Sequence, residues 1–206
     1  MSLVSRVGLL LAIAFAAACS NKPPDNRNYV AKIAAARATK DAEFLKSSDS
    51  PVPQSRRPEL LPLAYFPIDP DYSVPAILRP ADDGSVIEMS TSTGTQRKMR
   101  RAGTLEFTLK GQTLKLTAFV EVTAKDLDRL FVPFLDLTAG TETYPGGRYI
   151  DLDRTATGVY VIDFNWAYFP YCYYSPTWEC PYPPPENRLK LPIRAGERLK
   201  KVEVKS

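Results

Sequence analysis

Residues 105–122, LEFTLKGQTLKLTAFVEV, determine the fold class. Apolar and polar residues alternate on both sides of Lys110-Gly111-Gln112, and such alternation is typical of a β-strand with one buried face. A glycine-containing break between two alternating runs predicts a β-hairpin. The alternating apolar residues are Leu105, Phe107, Leu109, Leu114, Leu116, Ala118, Val120 and Val122.

The sequence on either side of this hairpin also contains short segments that are predicted to be strands. Glycine, proline and aspartate separate them, as expected where turns join strands. Further strands are predicted at Val74–Leu78, Val86–Met89, Leu130–Leu137, Arg148–Leu152, Gly158–Asn165, Leu189–Ile193 and Leu199–Val204. The pattern predicts a mainly β (α+β) domain in which an antiparallel sheet forms a sandwich or a half-barrel.

One helix is predicted before the strands, from Tyr29 to Ser47, with Asn28 as its N-cap. Apolar residues recur there at spacings near three and four, as in an amphipathic helix. These residues are Val30, Ile33, Ala34, Ala38, Ala42 and Leu45. Residues 29–206 together have a length that suits a single globular domain.

The beginning of the chain predicts a secretory signal. Residues 7–18 are small or apolar and follow Arg6, and the run is shorter than the about 20 residues that a membrane-spanning helix needs. The residues Ala16-Ala17-Ala18-Cys19 resemble the lipobox of bacterial lipoproteins, although Ala16 stands where leucine is usual. The alternative is an ordinary signal cleaved at an Ala-x-Ala site, which would leave Cys19 as a spare thiol.

The lipobox predicts that residues 1–18 are removed as a signal peptide and that Cys19 carries the lipid. Residues 19–28 are then a polar tether between the lipid and the domain. The predicted product is an exported lipoprotein whose partner is the membrane, through the lipid anchor. If the host is Gram-negative, the expected location is the periplasmic side of the outer membrane.

The composition excludes several classes of chemistry. The chain contains no histidine, which excludes Ser-His-Asp and Cys-His nucleophile activation and the usual zinc ligand sets. No cofactor and no metal site are predicted. A net charge of +4 is too small to indicate nucleic acid binding. The basic run Arg97-Lys98-Met99-Arg100-Arg101 is interpreted as a solvated turn or strand flank, with contact to anionic lipid headgroups as the alternative.

Cys172 and Cys180 are the cysteines that remain beside Cys19. An exported protein meets oxidising conditions, so a disulfide that closes a nine-residue loop is predicted for this pair. A metal site would need two further soft ligands, and a redox pair usually has the closer Cys-x-x-Cys spacing. Both are weaker alternatives.

Four motifs follow one another within residues 134–196. They are Phe134-Leu135-Asp136-Leu137-Thr138, Thr143-Tyr144-Pro145-Gly146-Gly147-Arg148-Tyr149, Asp163-Phe164-Asn165-Trp166-Ala167-Tyr168, and Cys172 with Cys180-Pro181-Tyr182-Pro183-Pro184-Pro185-Glu186-Asn187-Arg188-Leu189. In this order they resemble the bacterial family called domain of unknown function 1684, and Tyr65-Phe66-Pro67-Ile68-Asp69 extends the resemblance upstream. The family usually has Asn-Pro-Pro-Cys where this chain has Phe169-Pro170-Tyr171-Cys172. The resemblance implies a layout and no activity.

Aromatic side chains are dense between Tyr160 and Tyr182, and prolines between Pro170 and Pro185 stiffen the same loop. This combination favours an aromatic cleft for a small ligand, a glycan or a peptide. A covering loop whose aromatic residues close the core is the alternative. The candidate ligand-binding residues are Asp136, Tyr144, Arg148, Asp163, Asn165, Trp166, Tyr168, Glu186, Asn187 and Arg188.

Two functions are compatible with these residues. The favoured one is a non-catalytic binding module of the cell envelope. The alternative is a hydrolase without histidine, in which Asp136, Asp163 or Glu186 supplies a carboxylate pair. Arg148 has two possible roles: contact with a ligand carboxylate or phosphate, and a buried ion pair with an aspartate that ties its turn to the sheet.

Overall fold

The computed structural model of the protein describes residues 26–82, 84–123 and 128–200. Its elements are α1 (Arg27–Lys46), α2 (Arg57–Leu60), β1 (Ser73–Pro80), β2 (Val86–Ser90), β3 (Gln96–Leu109), β4 (Gln112–Glu121), β5 (Arg129–Phe134), β6 (Arg148–Asp153) and β7 (Val159–Asp163). The predicted signal peptide, Cys19, the tether up to residue 25 and most of the predicted strand Leu199–Val204 lie outside the described residues. Among the described residues, no helix has the length and apolar content that crossing a membrane requires.

The seven strands form one antiparallel sheet that curves into a nearly closed half-barrel. The strand order is β6-β5-β4-β3-β1-β7, and β2 pairs with the first half of β3. The prediction of a mainly β domain with a half-barrel and one long N-terminal helix is therefore confirmed.

The turn between β3 and β4 is where the sequence predicted a hairpin. Lys110 and Gly111 are its central residues, with φ of 49° and 76°, and Leu109 pairs with Gln112 beside them. Positive φ at both central positions gives the type I′ turn, whose twist matches the twist of the strands. Gly111 suits such a turn because it has no Cβ.

A β-bulge divides β3 into two halves that bury opposite faces. The register shifts between Arg101 and Gly103, where a Cβ on the glycine would collide with the carbonyl oxygen of Arg79. After the bulge the apolar side chains of β3 fill the interior, whereas Met99 belongs to a separate apolar cluster. The first half of β3 therefore presents Met99 and its alternate neighbour Arg97 on the outer face of the sheet.

The interior of the half-barrel is an apolar core. Every strand except β2 contributes to it, and the segment after β7 closes its open side with Phe164, Leu189 and Ile193. Each large side chain buried in this way contributes about 1.5–3 kcal/mol to the hydrophobic free energy of folding. The residues without any exposure include Leu105, Leu116, Leu130, Val132, Phe134, Ile162 and Phe164.

Helix α1 packs through a face that its apolar pattern indicated only at Ile33. Its buried residues are Ile33 and Phe44, while Val30 and Leu45 are 38% and 54% exposed. The predicted N-cap Asn28 is wrong, since the helix begins at Arg27 and Asn26 precedes it, without a side-chain capping hydrogen bond.

Polar side chains hold the inner face of α1 instead. Arg37 donates to the carbonyl oxygen of Phe66 at 3.0 Å, and Asp41 accepts from the backbone N–H of Leu63 at 2.9 Å. These partners lie in the segment between α2 and β1, so polar contacts dock the helix where apolar contacts were expected.

The predicted strand Leu189–Ile193 is not a strand. Its chain runs beside residues 135–137 and makes one isolated parallel bridge, between Leu135 and Arg188. Pro192 has no N–H to donate, and the N–H of Ile193 binds the side chain of Asp136 at 3.1 Å instead of a neighbouring strand. The backbone pairing with residues 135–137 therefore does not continue into a regular pair of strands.

Candidate functional site

A cleft of about 640 Å³ lies against the outer face of the sheet, and we call it the outer cleft. Its floor consists of residues of four adjacent strands, all but Val120 on the outer face of the sheet, and its walls come from α1 and from the loop of residues 168–181. The floor residues are Arg97, Met99, Val120, Glu121, Arg129, Phe131, Tyr149 and Asp151. The wall residues are Lys40, Tyr168, Pro170, Tyr171, Trp178, Glu179, Cys180 and Pro181.

Aromatic rings line the outer cleft at two depths. On the floor, Tyr149 packs edge-on between Phe131 and Tyr168, with ring centroids 4.7 and 5.8 Å away. At the rim, Tyr171 and Trp178 are each 40% exposed and meet edge-on at 5.3 Å. The floor rings are held by packing, whereas the rim rings keep much of their surface free for a ligand.

The position of Tyr149 is also held by a hydrogen bond. Its hydroxyl donates to the carbonyl oxygen of Pro181 at 2.6 Å, which ties strand β6 to the end of the loop. The backbone of Tyr149 pairs with Tyr168 in both directions, at 2.9 and 3.0 Å. The floor and one wall of the cleft are therefore joined.

Most charged groups in the outer cleft already have partners. Arg97 lies 3.0 Å from Glu179 and 3.8 Å from Glu121. Lys40 lies 2.6 Å from Glu197 and 5.1 Å above the ring of Tyr168. The cleft is lined by both basic and acidic side chains, so neither sign of charge dominates it.

Asp151 offers a carboxylate to the cleft. One of its oxygens accepts a hydrogen bond from the Tyr168 hydroxyl at 2.9 Å. Partial desolvation by neighbouring groups raises the pKa of the solvent-exposed Asp151 above its usual value, although the hydrogen bond from Tyr168 opposes this effect. The second oxygen is a hydrogen-bond acceptor next to the aromatic floor.

The predicted site residues Asp136 and Arg148 form a buried ion pair inside the half-barrel. Their side chains are 2% and 1% exposed, and Nη2 of Arg148 lies 2.8 Å from Oδ2 of Asp136. Arg148 also donates to the carbonyl oxygens of Ile193, Ala195 and Glu197. This arrangement is the buried pair that ties a turn to the sheet, one of the two roles left open by the sequence.

Asp163 and Asn165 also bind parts of the chain. Asp163 accepts from the hydroxyl of Tyr29 at 2.8 Å, and the pKa of that tyrosine is raised by its burial and then by this hydrogen bond. Asn165 donates to Tyr29 at 2.9 Å and to the carbonyl oxygen of Asp69 at 2.8 Å. The two residues thus join α1 to the start of β1.

Asn187 fills a gap in the sheet between β4 and β5. Its amide oxygen accepts from the N–H of Thr117 at 2.7 Å, and its amide nitrogen donates to the carbonyl oxygens of Thr117 and Pro133 at 2.9 and 2.7 Å. One buried side chain therefore satisfies three backbone groups, as a strand residue would.

The remaining candidates lie in other places. Glu186 pairs with Arg101 at 2.7 Å. Tyr144 and Arg188 line a second groove of about 570 Å³, together with the prolines after Tyr182. Trp166 is 42% exposed and is not among the residues of either space. Of the predicted site residues, Tyr168 alone lines the outer cleft.

The sequence prediction missed Tyr149, Asp151 and Trp178 as residues of one cleft. A signal for the floor was present, because Met99, Phe131 and Tyr149 are apolar or aromatic at positions that face outward by the period of two. Apolar residues on both faces of a strand indicate that both faces are covered.

The basic run 97–101 lies within β3. Arg97 and Arg101 alternate on the outer face and pair with Glu179 and Glu186, while Lys98 and Arg100 are exposed. The run is thus part of a strand and not the solvated turn or strand flank that was predicted, and Met99 in its middle is buried. Contact with lipid headgroups stays a prediction.

Cys172 and Cys180 are present as two thiols, so the predicted disulfide stays a prediction. The backbone N–H of Cys172 donates to the sulfur of Cys180 at 3.1 Å. Across the described residues, no group of three or more Cys, Asp or Glu side chains is arranged to hold a metal ion.

Comparisons with known proteins agree with the motif resemblance. A family model described as "Protein of unknown function (DUF1684)" matches residues 60–198. The solution NMR structure of an uncharacterized protein from Haloarcula marismortui is similar, with a TM-score of 0.67 and 36% identity, over 85% of this chain and 96% of that chain. A comparison with curated proteins gave no match.

Proposed function

Since this chain belongs to the DUF1684 family, whose description assigns no activity, we propose its function from the outer cleft: it is a binding module. The ligand is a small molecule, a glycan or a peptide, and no bond in it is broken. The supporting observation is the exposed pair of rings, Tyr171 and Trp178, above a cleft of about 640 Å³. A volume of this size is typical of ligand pockets.

Of the three ligand classes, a glycan fits the lining best. Sugar rings have apolar faces that stack on Tyr and Trp, and hydroxyl groups that bind planar polar side chains. The rim supplies the rings of Tyr171 and Trp178, and the floor supplies Asp151. The mixed charge of the cleft favours a neutral ligand over a strongly charged one.

The hydrolase alternative gains no support from the carboxylates named for it. A glycosidase pair needs two carboxyl groups about 5–9.5 Å apart on either side of the substrate. Asp136 is paired with Arg148 in the interior, Asp163 binds Tyr29 of α1, and Glu186 binds Arg101. These three groups have separate partners, and we therefore do not propose catalysis.

The proposal includes a place in the cell. We propose that lipid on Cys19 anchors the domain to the membrane after export, on the periplasmic side of the outer membrane in a Gram-negative host. The lipobox-like residues Ala16-Ala17-Ala18-Cys19 support this location. A lipid-tethered binding module would present the outer cleft to envelope glycans.

The two tryptophans give a matched test of the binding site. Trp178 lines the outer cleft and Trp166 does not, yet their exposures are 40% and 42%. We expect a screen of oligosaccharides, including soluble peptidoglycan fragments, to find a ligand that quenches tryptophan fluorescence. Replacing Trp178 by Ala should weaken its binding about tenfold or more, equivalent to about 1.4 kcal/mol.

The control is Trp166→Ala, which should bind with unchanged affinity. Isothermal titration measures both affinities, and thermal unfolding checks that each variant folds. Equal weakening by both substitutions, or a ligand that binds both variants normally, would place the binding site outside the outer cleft.

A further inference from the structure

Cys172 and Cys180 stand at the two ends of the segment that forms the rim of the outer cleft. The N–H of Cys172 lies 3.1 Å from the Cys180 sulfur, and the hydroxyl of Tyr144 lies 3.9 Å from the Cys172 sulfur. The backbone N–H of Cys180 donates to the Ser92 hydroxyl at 3.1 Å, which holds the second cysteine against the β2–β3 turn. The two thiols and the phenol of Tyr144 therefore lie close together in one cluster.

The two thiols have different surroundings. Cys172 is half-buried, whereas Cys180 is only 5% exposed. Hydrogen bonding with the Cys180 thiol lowers the pKa of Cys172 to about 6, although burial opposes this effect, and the nearby hydroxyl of Tyr144 lowers it further. The same contact raises the pKa of Cys180. A thiolate is thus favoured on the accessible sulfur and a thiol on the buried one.

We propose that Cys172 and Cys180 are a thiol–disulfide exchange pair, in which Cys172 is the attacking thiolate and Cys180 the resolving thiol. The substrate class is a disulfide that reaches the half-buried Cys172 sulfur. Cys180 also borders the outer cleft, but the exchange takes place at the two sulfur atoms and does not depend on a ligand in the cleft.

The exchange proceeds in two balanced steps. In the first, the Cys172 thiolate forms a bond to one substrate sulfur, the substrate S–S bond breaks, and the other substrate sulfur leaves as a thiolate. In the second, Cys180 loses its proton to that thiolate or to solvent and attacks the Cys172 sulfur, which releases the second substrate thiol. The protein pair is oxidised to a disulfide by two electrons, and the substrate disulfide is reduced to two thiols.

Cys172 is the more exposed residue of the pair, so a substrate disulfide meets its sulfur first. Thiolate character and access together control the rate of exchange. The buried Cys180 has neither property, but it lies beside the Cys172 sulfur and therefore competes well for the mixed disulfide. A disulfide with a purely structural role needs no such difference between its two cysteines.

The test uses glutathione disulfide and the full chain with Cys19→Ser, so that two thiols remain. We expect the reduced protein to form the Cys172–Cys180 disulfide and to release two molecules of glutathione. The Cys180→Ser variant should accumulate a stable mixed disulfide on Cys172. The Cys172→Ser variant should react at least about ten times more slowly at pH 7, because Cys180 is buried, and burial both limits access to its sulfur and raises the pKa of its thiol. Mass spectrometry of peptides identifies each species.

The pH profile separates an exchange pair from a structural crosslink. Alkylation of Cys172 in the Cys19→Ser protein should reach half its maximum rate near pH 6. Tyr144→Phe removes one donor to the sulfur and should move this midpoint upward. The proposal is overturned if both single-cysteine variants exchange at the same rate, or if excess reduced glutathione leaves the oxidised pair intact.

Discussion

Arg148 is a charged side chain enclosed by the half-barrel, and its partners explain how the fold tolerates it. Burial lowers the pKa of its guanidinium, and the neighbouring Asp136 opposes this effect. Asp136 also accepts from the N–H of Thr138 at 2.9 Å and from its hydroxyl at 2.6 Å. The pair thus joins the Thr138 turn and the chain near Ile193 to β6, while Nε of Arg148 has no protein partner among the described residues.

Removal of either partner should be costly. We expect Asp136→Ala and Arg148→Ala each to reduce the free energy of unfolding by about 3–5 kcal/mol, because each leaves an unpaired buried charge. Urea denaturation measures the loss. The control is Glu142→Ala, which breaks the exposed pair with Arg194 and should cost less than about 1 kcal/mol. Similar small losses for all three variants would contradict a structural role for Arg148.

At the scale of single elements, helix α1 shows the limit of apolar periodicity. The helix is rich in alanine. The spacing of these small residues therefore predicted that a helix forms, but it did not predict correctly which face is buried. Exposure of Val30 and Leu45 leaves Ile33 and Phe44 as the apolar anchors. Lys40 binds the buried Glu197, which also accepts from the N–H of Phe169 at 2.7 Å. The face of α1 that packs inward is therefore determined by the tertiary contacts of its polar side chains.

This orientation predicts different costs for two similar truncations. Ile33→Ala should reduce the free energy of unfolding by about 2–4 kcal/mol, since it leaves a cavity beneath the helix. Leu45→Ala should change it by less than about 0.5 kcal/mol, because Leu45 is 54% exposed. Thermal or urea unfolding measures both. If the Leu45 variant lost more stability than the Ile33 variant, α1 would pack through the opposite face.

At the scale of the whole molecule, the outer cleft exists because three separate parts of the chain meet. The half-barrel supplies the floor, α1 supplies Lys40, and the loop 168–181 supplies the aromatic rim. Other aromatic residues of that loop, Phe169 and Tyr174, are buried with Phe44 in a second core. The loop therefore both covers the domain and borders a cleft, which combines the two roles considered for it from the sequence.

Anchoring of the whole molecule is tested at Cys19. The protein should fractionate with membranes and incorporate labelled palmitate, because two or more acyl chains hold a protein stably in a bilayer. Cys19→Ser should abolish the label and release the protein into the soluble envelope fraction. A Ser20→Ala variant serves as the control and should remain in the membrane. Wild-type protein in the soluble fraction without label would contradict lipidation.

The sequence by itself determined six of the seven strands and the second half of β3, the β3–β4 turn, the approximate span of α1 and the family. It missed the first half of β3 and predicted a strand at Leu189–Ile193 that the structure does not have. Alternation, turn residues and motifs are local properties, so residues such as Lys110 and Gly111 predict their own conformation. The sequence also indicated polar residues that are important in the fold, including Arg148 and Asn187, but it did not indicate which groups they bind.

Tertiary structure alone decided the partners of those polar residues, the inner face of α1 and the position of the cleft. Asn187 meets Thr117 across 70 residues of sequence, and Tyr29 meets Asp163 across 134. A hydrogen bond needs its donor and acceptor, here remote in the chain, to be placed to within a few tenths of an ångström. Such distances arise only after the elements have packed, which is why local patterns predict the elements and not the site between them.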